Sequence, residues 1–235
     1  MLPGKTLDSF DFEVVPIISK AHVMAICAGD SWIDKGANLI LIGGPGGGKT
    51  HLASAVGLAL VEGGWRVLFT RTSDLVQRLQ VARRELALEA AIARLDRFDL
   101  LILDDLAYVS KDQAETSVLV ELISARYERR STLITANQPF GAWGKVFPDP
   151  DMTLAAVDRL VHHATIFEIN VDSYRRRVAL ERKQKGAGRP QSYASIKDCQ
   201  IAWNHDPHFA PNHDPSRFEF ERFEILRAGR FGGCG

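Results

Sequence analysis

Two rhythms of apolar and polar residues alternate along the chain. A continuous apolar run stands at Leu39-Ile40-Leu41-Ile42, a second apolar strand pattern at 98–103, and shorter strand patterns with polar breaks at 65–70, 131–136 and 165–169. Such runs read as strands buried on both faces, which is the habit of a parallel sheet covered by helices. Between them lie stretches with apolar residues every three or four positions. Residues 50–62 carry Leu52, Ala55, Val56, Ala59 and Leu60 on one helical face and end at Gly63-Gly64. Helices are likewise expected over 73–80 behind Ser73, over 84–95, over 112–130 with Leu119, Leu122, Ile123 and Tyr127 on one side, and over 153–163. Asp172 is placed to cap a further, basic helix. Residues 138–152 hold three prolines and two glycines and read as a loop.

Strand and helix in strict alternation predict a doubly wound α/β domain with a five-stranded parallel sheet. The expected division is a linker segment at 1–37, the core at 38–188 and a loosely ordered tail at 189–235. The tail has no sustained period, repeats Asn-His-Asp-Pro twice and closes Gly-Gly-Cys-Gly.

Composition narrows the class without changing that picture. The 235 residues are 46% hydrophobic and 25% charged, too apolar for a disordered chain. The glycines follow no period of three, which excludes collagen. The longest apolar stretch, 52–61, is interrupted by Ser54 and Gly57 and is too short to cross a bilayer. The first residues, Met1-Leu2-Pro3-Gly4-Lys5-Thr6, do not form a signal peptide. Cys27, Cys199 and Cys234 are sparse and unpaired in spacing, which points to a reducing cytoplasm. Lys+Arg 29 balance Asp+Glu 29, so any nucleic-acid surface must be local.

The chemistry is concentrated in three places. Gly43-Gly44-Pro45-Gly46-Gly47-Gly48-Lys49-Thr50 fits G-x-x-x-x-G-K-[ST], and it lies between a buried strand and a helix. Glycines let backbone N–H groups converge on phosphate oxygens, and the helix N-terminus adds partial positive charge. In such a loop Lys49 reaches the β- and γ-phosphates of ATP, and the Thr50 hydroxyl binds Mg²⁺. Leu100-Leu101-Ile102-Leu103-Asp104-Asp105 delivers two carboxylates at a strand's C-terminal end, where open α/β sheets bind ligands. Asp104 is expected on Mg²⁺ and Asp105 on the attacking water, although Asp-Asp also serves as a plain turn. Asn137, just past Leu133-Ile134-Thr135-Ala136, either sits between γ-phosphate and water or simply forms a turn.

Taken together, GGPGGGKTHLA, FDLLILDDLAYV, LITANQPFGAWGKVF and AAVDRLVHHATIFEINVDSYRRR resemble the IstB family of transposition helper ATPases. That family belongs to the AAA+ proteins and is related to DnaC helicase loaders; the resemblance covers about residues 5–185. It implies ATP bound between subunits of an oligomer, with Arg159 as the arginine finger acting on a neighbour and Arg175 as the second sensor. It also implies a non-specific grip on duplex DNA and recruitment of a transposase. Arg78, Arg83 and Arg84, between the second and third strands, become candidate DNA phosphate contacts, or else a solvated helix face beside Glu85 and Glu89.

The sequence departs from the family in places. Relatives carry a helical domain before the core, so this chain reads as shortened at its N-terminus. Many AAA+ relatives have Asp-Glu where Asp104-Asp105 stands. Nothing familial covers 190–235, where His205, His208, His213 and Cys199 lack a framework that would make a metal site. The competing functions are a DnaC-like helicase loader, a small-molecule P-loop kinase and a DNA clamp that scarcely turns over.

Overall fold

The computed structural model describes residues 2–106, 112–145, 149–169 and 171. The chain divides into two units, Met1–Ala179 and Leu180–Gly235. The second unit, and with it the expected tail, lies outside the described residues, as do the helix expected behind Asp172 and Arg175 within it.

Five parallel strands form one sheet: β1 (Asn38–Gly43), β2 (Val67–Arg71), β3 (Leu100–Asp104), β4 (Ser131–Ala136) and β5 (Ala164–Ile169), in the order β2-β3-β4-β1-β5. The helices are α1 (Lys20–Ala28), α2 (Lys49–Glu62), α3 (Thr72–Arg84), α4 (Leu88–Leu95), α5 (Gln113–Arg126) and α6 (Pro150–Val161), with a short 3-10 turn at Phe140–Lys145. This is the predicted α/β architecture.

The central strands are apolar on both sides because each feeds two cores. Ile40 and Ile42 of β1, Leu101 and Leu103 of β3 and Ile134 of β4 pack with Leu75, Leu119, Leu122 and Leu160 of α3, α5 and α6. Their sequence neighbours Leu39, Leu41, Leu100, Ile102 and Leu133 face the other way, onto Leu52, Val56 and Leu60 of α2 and Val23 and Ile26 of α1. The period of two along a strand thus sorts one apolar run into two layers.

Within 2–37, in the stretch expected as a linker segment, several side chains join the core. Phe10, Val15, Ile18, Val23, Ile26, Trp32 and Ile33 are buried in the α1–α2 layer. Trp32 Nε1 donates to the Ile26 carbonyl at 2.9 Å, which fixes the turn after α1.

The helix after 138–152 begins earlier than predicted. Asp149 accepts from the Asp151 and Met152 N–H groups and Pro150 takes the first helical position. There proline's missing N–H costs nothing, so the residue that suggested a loop starts a helix. Between α3 and α4 the predicted break moves to Leu86, whose backbone is left-handed at φ 55.

Candidate functional site

α2 follows β1 onto one face of the sheet and α6 follows β4 onto the other. Adjacent strands whose helices diverge leave a crevice at their C-terminal ends, and ligands bind there. The loop 43–50 lies in that crevice. Gly48 caps α2 at φ 90, a backbone that side chains with a Cβ rarely adopt. Gly43 is forced by contact, since a Cβ would stand 2.1 Å from the Ile169 carbonyl oxygen. Lys49 is buried, and its Nζ donates to the carbonyls of Gly43 at 2.8 Å and Gly44 at 2.9 Å. Pro45, Gly46 and Gly47 complete the turn between them.

A chain of hydrogen bonds ties this loop to the next two strands. Thr50 Oγ1 donates to Asp104 Oδ1 at 2.9 Å, and Thr135 Oγ1 donates to the same oxygen at 2.7 Å. The Asp105 N–H donates to Thr135 Oγ1 at 2.9 Å. Asn137 Nδ2 donates to Asp105 Oδ1 at 3.3 Å. Thr72 Oγ1 donates to the Asp104 carbonyl at 2.9 Å and anchors the start of α3. Asp105 is left-handed at φ 57, which turns the chain sharply after β3.

Asp104 is 5% exposed. Burial raises its pKa, and the two hydroxyl donors only partly offset this. A buried carboxylate beside a threonine hydroxyl is a hard, all-oxygen donor set of the kind that suits Mg²⁺. Thr50 and Asp104 therefore fit the cation that the loop motif implies.

The structure brings together the loop, Thr50, Asp104, Asp105 and Asn137. It does not bring Arg159 to them. Arg159 lies on α6, donates from Nη1 to the Ala155 carbonyl at 3.0 Å, and lines a hollow with Asn38 and Thr132 at the N-terminal ends of β1 and β4. β1 alone, six residues long, separates that hollow from the loop by about 16 Å. Arg78 and Arg84 are exposed on α3. Arg83 is turned inward onto α5, donating to Ser117 Oγ at 2.9 Å and pairing with Glu121.

Sequence reasoning missed Thr72 and Thr135. Thr135 Oγ1 joins the Asp104 carboxylate to the backbone N–H of Asp105 from the neighbouring strand β4. Its sequence signal is weak, since β4 carries hydroxyls at Ser131 and Thr132 as well.

A family model described as "IstB-like ATP binding protein" matches residues 1–182. A Sinorhizobium fredii protein, named as an insertion sequence ATP-binding protein, is 74% identical over 199 residues. The match covers 85% of this chain and 66% of that relative, so the chain spans just under two thirds of its length. A Pseudomonas aeruginosa protein named in the same way is 38% identical over 197 residues, covering 84% of this chain and 72% of the relative. Among solved structures, the DnaC helicase loader superposes with a TM-score of 0.56 at 24% identity, over 64% of this chain and 87% of that one. AMPPCP-bound DnaA from Aquifex aeolicus gives 0.60 at 19% identity, over 78% and 56%. These likenesses show the P-loop AAA+ fold.

Proposed function

The chain belongs to the IstB-like ATP-binding protein family, and on that premise we propose that it binds Mg–ATP at the loop 43–50, hydrolyses it and assists transposition on DNA. The observation that supports this best is the hydrogen-bonded chain Thr50–Asp104–Thr135–Asp105–Asn137. It joins the phosphate loop to a carboxylate suited to handling water.

On this reading the loop N–H groups and the N-terminus of α2 hold the phosphates, and Lys49 Nζ leaves the Gly43 and Gly44 carbonyls to meet them. Thr50 and Asp104 hold Mg²⁺, which when bound offsets charge on the β- and γ-phosphate oxygens. Asn137 fixes Oδ1 of Asp105, so the carboxylate is aimed before it orients a water and accepts its proton. Arg159 cannot serve its own loop from the far ends of the strands. It acts on a neighbour's nucleotide, which makes the ATP site a place of self-association. Arg175, outside the described residues, is kept as the second sensor arginine.

The sequence relatives carry names from insertion sequences, which favours the transposition reading over a helicase loader. The partners are then duplex DNA without sequence preference and a transposase. Among the described residues no helix is long and apolar enough to cross a membrane; a cytoplasmic location is part of the proposal.

Phosphate release measured with and without duplex DNA tests the function. The expected result is Mg-dependent turnover that duplex DNA alters and Lys49→Ala abolishes. Turnover that survives Lys49→Ala would overturn it.

A further inference from the structure

At the N-terminal ends of β4 and β5, away from the phosphate loop, two turns bring three potential metal ligands together. Glu128 follows α5 in a left-handed turn at φ 56, and His162 and His163 lie between α6 and β5. Glu128 Oε1 is 3.4 Å from His163 Nε2 and 3.7 Å from His162 Nδ1. One ligand atom from each of the three falls within 4.8 Å of the others, and all three residues are exposed. The two imidazole centroids are 4.0 Å apart.

The backbone beneath them is fixed by hydrogen bonds. The Asn38 N–H donates to the His163 carbonyl at 3.0 Å, and the His162 N–H to the Asp158 carbonyl at 3.0 Å. The Tyr127 and Arg129 N–H groups, on either side of Glu128, donate to the Ile123 and Arg126 carbonyls at 3.0 Å each.

We propose that Glu128, His162 and His163 form a binding site for a divalent transition-metal ion of the zinc class. Tetrahedral zinc with bonds of about 2.0–2.2 Å places neighbouring donor atoms about 3.4 Å apart. The two separations from Glu128 already match this spacing, so small side-chain rotations complete the set. Glu128 Oε1 lies within reach of both imidazoles at once, and a shared cation uses all three ligand atoms. Two nitrogens and one carboxylate oxygen select zinc, cobalt, nickel or copper over Mg²⁺ and Ca²⁺, which take oxygen ligands. The Tyr127 hydroxyl lies 2.6 Å from His162 Nδ1, and metal entry exchanges that hydrogen bond for coordination. The site is separate from the nucleotide site. It ties the end of α5 to the α6–β5 turn, three residues beyond Arg159.

The test is a Zn²⁺ titration of the full, metal-free chain by calorimetry, with Co²⁺ as a spectroscopic probe. The expected result is one tight equivalent, a visible Co²⁺ spectrum of tetrahedral intensity, and no competition by Mg²⁺. Glu128→Ala and His163→Ala, both on exposed side chains, should each weaken Zn²⁺ binding at least about tenfold. The sequence holds 7 His in all, so a triple variant His205→Ala, His208→Ala, His213→Ala serves as the control and should bind as the parent does. A parent that binds no Zn²⁺, or binding that survives Glu128→Ala and His163→Ala, would overturn the proposal. So would binding lost in the triple variant alone.

Discussion

The Asp104 carboxylate is held out of water, where its charge is costly, yet both hydroxyl donors converge on one of its oxygens. Burial raises its pKa above the ordinary aspartate value of 3.8. A raised carboxyl contributes most to stability below the unfolded value, and the contribution is lost as pH rises through the folded one. At neutral pH the charged form therefore works against folding. Asp104→Asn removes that charge and keeps an acceptor for Thr50 and Thr135, so it should melt higher than the parent in nucleotide-free scanning calorimetry at pH 7. The same change should weaken Mg-dependent nucleotide binding. On the proposed mechanism Asp105 differs, because its role begins only when a proton moves. Asp105→Asn should keep ATP affinity in titration and lower turnover by roughly 10²–10⁴-fold. The loop, Asp104 and Asp105 were legible in the sequence because their chemistry is local: a fixed spacing between a strand and a helix. Thr135 was not, because what matters about it is a contact with another strand.

At the scale of elements, the strands read most clearly. An uninterrupted apolar run has few other fates, and β1 lies over Leu39–Ile42 as the pattern predicts. Helix ends were harder, since Asp149-Pro150 can start a helix or sit in a loop, and only packing on the sheet decides. Single arginines were hardest. Arg83 reads in the sequence as a DNA contact or a solvated face, and in the fold its charge is met by Glu121 on α5. Arg84→Ala should flatten the slope of log K against log salt for duplex binding by about 1 unit, while Arg83→Ala should barely change it. The pattern gave no hint of Arg126, which is 2% exposed at the end of α5. It donates to the carbonyls of Leu95 at 3.0 Å, Phe98 at 3.2 Å and Ser131 at 2.9 Å. It thereby pins α4 and the start of β3 to the start of β4, and burial brings its own pKa down to about 10. Arg126→Leu leaves those carbonyls without their donor and should cost about 3 kcal/mol or more in urea unfolding.

For the whole molecule, the separation between Arg159 and the phosphate loop constrains any hydrolysis that would use both. The loop, Asp104, Asp105 and Asn137 occupy the C-terminal ends of the strands, and Arg159 lies toward the N-terminal ends. A single chain cannot fold one onto the other without breaking the sheet. If Arg159 contributes to hydrolysis, a second copy must bring its own Arg159 to this chain's nucleotide, and turnover requires assembly. Arg159→Ala should then bind ATP as the parent does and fail to hydrolyse it, with a loss of about 10³-fold or more if it acts as an arginine finger. Lys49→Ala should fail through loss of nucleotide. Mixing the two inactive variants creates one kind of interface in which an intact loop meets an intact Arg159, so phosphate release should reappear at a fraction of the parent rate. That fraction should rise with total protein concentration, because dilution separates the partners. Co-assembly is checked in the same samples by light scattering. Mixed assemblies that form and stay inactive would place the charge-completing arginine elsewhere, and would leave Arg159 a residue of the α6 surface.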